Sequence, residues 1–439
     1  MEGKNSTEDH NFEIRVALVG YVSVGKSTVI NALLGDQFSE VSMRRTTAGF
    51  NHFRVSQKSA SSTSTSVAET ITETGIKTET GGEGEKIRDE ANKGEGGKAS
   101  TSTSTSTKRS SAEETHAIIS KDNGTIRSDE KESQSQSQSS IVLEKFFDIE
   151  VDEAICDMRN DTKLVLIDIP GINEADSSKK YKEYVEQKWD SFDCVCVVMD
   201  AMAGVNTLEQ VELLKFVHQN NQTLKRIPTI VLGNKVDDPT DEDTLTLVEE
   251  TREKTIEIFG QGCTEKSLQS LLDAANNGNF YAGEQTKKNN QKQKGRNKNK
   301  SNKNKNSDDD EAVFIPISAK NAFIYRKAVH LSVDTFEKGS CDQDLFDKIG
   351  KDEVGRRWNK MSAEEKVRVI SSIMNDPNEY KERLAGTNFD NFLAVIKYFI
   401  GGNDTQRTLL ANQIEIVLKS LSADNININN NNNNKKIGE

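Results

Sequence analysis

The stretch "GYVSVGKS", residues 20–27, fits the spacing G-x-x-x-x-G-K-[ST]. Gly20 and Gly25 let the backbone wrap around a phosphate chain, and the N–H groups of a loop that opens a helix attract an anion. Lys26 is placed to neutralise charge on the β- and γ-phosphates, and the Ser27 hydroxyl to coordinate Mg²⁺. Val24 and Thr28 complete the cradle, with the Val24 side chain directed into strand–helix packing.

Further along, "LIDIPG" (Leu166 to Gly171) ends an apolar run on an acid and a flexible turn. Asp168 is expected to hold Mg²⁺ through water, and the Gly171 N–H to sense a terminal phosphate. "LGNKVD" (Leu232 to Asp237) points to the base. The Asp237 carboxylate can accept from both N1–H and the 2-amino group of guanine, a donor pair that adenine lacks. Asn234 is expected at the base edge and the Lys235 stem over one ring face. In "ISAK" (Ile317 to Lys320), Ser318 lies at the pocket, the Ala319 N–H is expected to reach guanine O6, and Lys320 to flank the ring. Alone, an N-K-x-D is usually a surface turn and a D-x-P-G a strand ending. Four such elements in this order make a guanine-nucleotide site. "RRTTAGF" offers Thr46 or Thr47 to close over Mg²⁺ and the γ-phosphate, with Thr46 favoured.

These loops need a scaffold of strand ends. Short, β-branched apolar runs at Glu13–Val19, Lys163–Asp168, Asp193–Asp200, Ile227–Asn234 and Ala312–Ser318 read as buried parallel strands. Helical patterns lie between them at Lys26–Leu34, Lys179–Trp189, Leu208–His218 and Asp243–Phe259. Such alternation predicts an α/β fold with a doubly wound, mostly parallel sheet and ligands at the carboxyl ends of its strands. Phe50–Val55 and Leu143–Val151 alternate in polarity and are expected to be neighbours, as an antiparallel edge hairpin. Helices are also predicted at Ser362–Met374, where Ser362 and Glu365 have capping-box spacing, and at Asn388–Ile400 and Gln406–Leu421.

Only 33% of the 439 residues are hydrophobic, so a single core is expected. Ser/Thr-, Lys/Asn- and Asn-rich stretches cannot bury enough apolar surface to offset the entropy of ordering. The sequence therefore divides into a nucleotide-binding domain (13–332) with disordered inserts at about 58–140 and 276–311, a C-terminal helical extension (333–422) and a disordered tail (423–439). A net charge of −12 argues against a dedicated nucleic-acid binder, and the basic run Lys287–Lys305 reads as a solvated insert. Cys194 and Cys196 sit in one apolar run as buried small hydrophobes. With no signal-like N-terminus and no long apolar run, a cytoplasmic protein is expected.

Taken together, these residues resemble the translation-factor-related P-loop GTPases, and more narrowly the dynamin-type G domain. The resemblance covers Glu13–Ser56 and Leu143–Lys327 and is carried by Ser23 in the loop, "STVINALLG", Arg44 and Arg45 before a Thr-rich segment, and "DIPG". "TTAGF" is similar to the switch of bacterial dynamin-like and EHD-type relatives. The resemblance implies GTP and GDP as ligands, Mg²⁺ as the metal, and hydrolysis with Ser23, Lys26 and the switch threonine (Thr46) as catalytic residues. Ser23 would act at the oxygen bridging the β- and γ-phosphates. It also implies a homodimer across the nucleotide face that stimulates turnover. Two positions bear on catalysis: Val22 stands where many dynamins have Gln, and Ile172 follows Gly171 as in the family. None of His10, His52, His116, His218 or His330 lies in a motif to replace that Gln. Membrane work in the family needs a stalk and usually a lipid-binding module, and Asn321–Glu439 has no room for both. Two alternatives stay open: a GTP-dependent switch with negligible intrinsic hydrolysis, and an Era-like RNA- or ribosome-associated GTPase supported by the basic run alone.

Overall fold

A computed structural model describes residues 12–39, 50–57, 114–121, 144–151, 153–171, 178–203, 208–281, 312–337 and 343–436. Seven strands form one sheet: β1 (Phe12–Gly20), β2 (Phe50–Gln57), β3 (Glu144–Val151), β4 (Thr162–Asp168), β5 (Cys194–Asp200), β6 (Thr229–Asn234) and β7 (Ala312–Pro316). Their order is β3-β2-β4-β1-β5-β6-β7. The five strands from β4 to β7 run parallel, and their apolar runs are buried almost without interruption because helices cover both faces. The chain order reverses at β1, so the crevice beyond its carboxyl end is where a ligand is expected.

Around the sheet lie α1 (Lys26–Leu34), α2 (114–121), α3 (Ser178–Lys188), α4 (Leu208–Thr223), α5 (Glu242–Phe259) and α6 (Glu265–Asn276). There follow α7 (Ala319–Ala328), α8 (Val333–Glu337), α9 (Gln343–Val354), α10 (Ala363–Met374), α11 (Pro377–Gly386), α12 (Phe389–Ile396) and α13 (Asn403–Lys436). Helix α1 is the most enclosed: Val29, Ile30, Ala32 and Leu33 have no exposed surface. It ends at Gly35, whose φ of 74° gives a left-handed C-cap that a side chain would strain. Helix α10 starts with the expected reciprocal cap, Ser362 taking the Glu365 N–H and Glu365 taking the Ser362 N–H.

Several expectations need correction. Strands β2 and β3 are neighbours, but they pair in parallel, and β2 meets β4 antiparallel. A hairpin turn enforces antiparallel pairing, whereas the long connection here lets the chain return to the same end. The predicted disordered insert 58–140 contains α2, where Ile119 and Thr115 are buried and Gln37 Nε2 lies 3.3 Å from His116 Nε2. Within the first residues of the second insert, α6 is followed by described residues to Tyr281, whose N–H donates to the Tyr398 carbonyl at 3.0 Å. The rest of both inserts, including Lys287–Lys305, lies outside the described residues, as does Cys341. Helix α13 runs on to Lys436 through the stretch from 423 that the sequence reads as a tail.

The single core is also divided. A main cluster spans the sheet and takes in Phe389, Phe392, Val395 and Phe399 from the C-terminal region. A smaller one gathers Phe336, Phe346, Trp358, Ile370 and Met374 against Ile324 and Tyr325 of α7. The C-terminal helices thus serve two cores. Among the described residues no helix is long and apolar enough to cross a membrane.

Candidate nucleotide site

The loop between β1 and α1 has two residues in left-handed backbone, Ser23 at φ 64° and Gly25 at φ 99°. A methyl group on Gly25 would lie 2.2 Å from Asn234 Nδ2, and one on Gly20 would lie 2.6 Å from the Val198 carbonyl oxygen. Both glycines are therefore required by close approach, which is how the loop curls back over the start of α1. Val24 is buried and packs beside Gly20, as its apolar type requires, and Thr28 is half-buried on the first turn. Lys26 is buried, and its Nζ donates to the Gly20 and Tyr21 carbonyls at 3.1 and 2.8 Å. Tyr21 ties the same loop to α4 by donating its hydroxyl to the Glu209 carbonyl, and burial pushes its pKa up to about 12.

At the end of β4, Asp168 Oδ2 accepts from Ser27 Oγ at 3.0 Å and from Ser39 Oγ at 2.9 Å. Ser39 is a site residue that the sequence reading missed. Asn31, fully buried on α1, holds it there: Asn31 Oδ1 accepts the Phe38 and Ser39 N–H groups at 3.0 and 2.9 Å, and its Nδ2 donates to the Ser39 carbonyl at 2.9 Å. A polar residue on the inward face of a helix was the available signal. Gly171 is buried against the phosphate loop, where an added Cβ would meet Val22 Cγ2 at 2.4 Å and Val22 N at 2.7 Å. Thr46 and Thr47 lie outside the described residues, as does Ile172.

Ser27 and Asp168 present hard oxygen donors side by side, a set that suits Mg²⁺. That ion takes one or two protein ligands and completes its shell with phosphate and water. Among the described residues no three His, Cys, Asp or Glu side chains gather to hold a metal.

At the ends of β6 and β7 the base-reading loops come together. Asn234 Nδ2 donates to the Val24 carbonyl at 2.8 Å, and Asn234 Oδ1 accepts the Ala319 N–H at 3.1 Å. The two groups expected at the base edge and at O6 are thus hydrogen-bonded to each other at the ends of β6 and β7. The reason is reach: Asn234 ends β6 beneath the phosphate loop, and α7 begins beside it. Asp237 is exposed, with one carboxylate oxygen accepting the Ser318 hydroxyl, which in turn caps α7 by accepting the Asn321 N–H. Lys320 is exposed beside this pocket on α7. Lys235 has φ 73°, and its Nζ lies 2.5 Å from Asp200 Oδ2. Asp200 also went unread, although it closes "DCVCVVMD" with a charge at the ligand end of a buried strand.

A glycine-curled phosphate loop at the switch point of a doubly wound sheet, facing a carboxylate across β4, defines a P-loop GTPase fold. The sequence matches the model of the dynamin family over residues 16–236, half of the chain, so the protein belongs to the dynamin family. No curated protein matches it. Among solved structures it is similar to Era in complex with MgGDPNP and nucleotides 1506–1542 of 16S ribosomal RNA, at 17% identity over 57% of this chain and 49% of that one, with a TM-score of 0.26. It is also similar to two structures of an oligomerised bacterial dynamin pair described as sensing and tethering membranes. One is 14% identical over 96% of this chain and 48% of that one, with a TM-score of 0.31. The other is 15% identical over 95% and 55%, with a TM-score of 0.33. The chain spans about half the length of these proteins, and superpositions this loose carry no functional argument.

Proposed function

We propose that the chain binds GTP in the presence of Mg²⁺ and hydrolyses it to GDP and phosphate, with turnover stimulated by pairing of two copies across the nucleotide face. The observation that carries this reading is the Asn234 bridge. It links the Val24 carbonyl to the Ala319 N–H, which supports reading the phosphate loop and the loops after β6 and β7 as parts of one site. Lys26 leaves its carbonyl partners for the β- and γ-phosphates, and the curled N–H groups hold the remaining phosphate oxygens. Ser27 and Asp168, with Thr46 or Thr47, would hold Mg²⁺, which would supply neutralising charge to the phosphates. Ser23 acts at the bridging oxygen, Gly171 senses the terminal phosphate, Asp237 reads N1–H and the 2-amino group, and Lys320 flanks the ring.

A second reading is a switch that binds GTP with negligible intrinsic hydrolysis, and it is favoured by Val22, whose side chain fills the space beside Gly171. GTP turnover per molecule, measured across a wide range of protein concentration, tests the first reading. A rise with concentration is expected, a flat profile removes the pairing, and failure to bind GTP overturns both readings. Single-turnover rates of wild type and Val22→Gln separate the two, since equal and appreciable rates leave the switch reading without support.

A further inference from the structure

We infer that Asp200 is a specificity-determining positioning residue: it holds the Lys235 ammonium away from Asp237 and so keeps the guanine-reading carboxylate open. The inference rests on Asp237 being the acceptor for guanine.

Asp200 is the last residue of β5 and the register partner of Asn234, so Lys235 leaves β6 directly beside it. Its Oδ1 accepts the Met202 and Ala203 N–H groups at 3.1 and 3.3 Å, which fixes the carboxylate. Its Oδ2 takes the Lys235 ammonium at 2.5 Å. Lys235 is in turn held in left-handed backbone, a conformation that a residue with a long side chain keeps only when its surroundings enforce it. Those surroundings are backbone hydrogen bonds, from Val236 N–H to the Ile317 carbonyl at 3.1 Å and from Asp237 N–H to the Lys235 carbonyl at 2.9 Å.

Two residues on, Asp237 is an exposed carboxylate whose protein partner on Oδ1 is a hydroxyl, not a cation. An ammonium on a four-carbon stem two positions away can reach it. If it did, a strong charge-assisted bond would fill the acceptor that N1–H and the 2-amino group require. Asp200 removes this competitor by binding it first. The arrangement leaves the Lys235 stem as pocket wall and its charge out of the reading.

The test compares binding of GDP and IDP, the latter lacking the 2-amino group, to the full chain. Wild type is expected to prefer GDP by about tenfold or more, the value of one hydrogen bond to a charged acceptor. Asp200→Asn keeps the oxygen that accepts the Met202 and Ala203 N–H groups and loses the charge. Its preference for GDP should shrink several-fold while its thermal midpoint stays near wild type. In the double variant Asp200→Asn/Lys235→Gln no ammonium is left to intrude, and the preference should return. An unchanged preference in Asp200→Asn, or no recovery in the double variant, overturns the inference. Should Asp200→Asn fail to fold, Lys235→Gln alone decides: it should bind both nucleotides more weakly with the preference intact, and loss of the preference would mean that Lys235 itself reads the base. A wild type without preference for GDP would count against the guanine reading, not against Asp200.

Discussion

Strand β5 is flanked by two aspartates that live in opposite surroundings. Asp200, at the carboxyl end, is 18% exposed at its side chain and neutralised by Lys235. Asp193, just before the first residue, is fully buried: its Oδ2 accepts the Arg15 N–H at 3.0 Å and Gln413 Nε2 at 2.9 Å, with Lys225 Nζ at 3.9 Å from Oδ1. Gln413 comes from α13, so this end of the sheet is sealed by the C-terminal helix. One end spends its polar groups on holding loops in shape for a ligand, and the other on holding two parts of the chain together. Backbone strain follows the same division. Of the three non-glycine residues with positive φ among those described, Ser23 and Lys235 are at the ligand end.

If the division is real, the largest effects should be opposite in kind. Lys26→Ala should weaken GTP binding by about 100-fold, the value of its charge-assisted contacts, and leave the urea midpoint nearly unchanged. Asp193→Ala should destabilise the fold by about 3 kcal/mol, because it strands buried donors, and leave the GTP affinity of the folded protein alone. Equal losses of affinity in both would break the comparison. Next in size, Gly25→Ala places a methyl 2.2 Å from Asn234 Nδ2 in a left-handed backbone and should reduce GTP affinity about tenfold, for a strain of 1–3 kcal/mol. Isothermal titration would show it.

The two ends should also answer pH with opposite sign. His52, on β2 one position from Asn51, the register partner of Asp168, is buried between Phe146 and Glu144, within reach of Lys188, Arg15 and Glu13. Burial lowers its pKa from 6.5 to about 4 despite the Glu144 carboxylate 3.6 Å away. The unfolded chain takes up the proton first. Stability from a neutral His52 is thus complete above 6.5 and is lost as pH falls toward 4, a slope that His52→Phe should flatten in urea titrations. Burial raises the Asp193 carboxyl instead, so the folded state keeps a proton that the unfolded state has released. Stability falls as pH rises from the ordinary 3.8 through the raised value. Asp193→Asn should remove that slope, the smallest effect of the set, read as the difference in urea midpoint between the two proteins across pH.

The ligand end was the more legible in the sequence because its chemistry is local. A glycine spacing, a strand-ending acid and an N-K-V-D run each carry their meaning within a few residues, and continuous apolar runs located the five parallel strands to within two residues. What escaped depended on partners distant in the chain. The parallel pairing of β2 with β3, the engagement of Asn234 with Ala319, and the capture of Lys235 by Asp200 are fixed by tertiary contact, which no local pattern encodes. The buried Gln406 of α13 is the extreme case. Gln406 Nε2 donates to the Asp157 and Gly401 carbonyls at 2.8 and 3.2 Å, yet in sequence it is one more polar residue in a polar helix.

The parallel pairing of β2 and β3 also sets a lower limit on how far this protein can be trimmed. Gln57 lies beside Val151 and Phe50 beside Glu144, so the two strands start together and finish together. Any replacement for the Ser/Thr-rich stretch must carry the chain back along a strand of eight residues, about 26 Å at the usual rise. A two-residue turn would force the edge strand to reverse and would pull its alternating apolar face out of the sheet. A miniaturised G domain therefore needs a linker of about a dozen residues at that point.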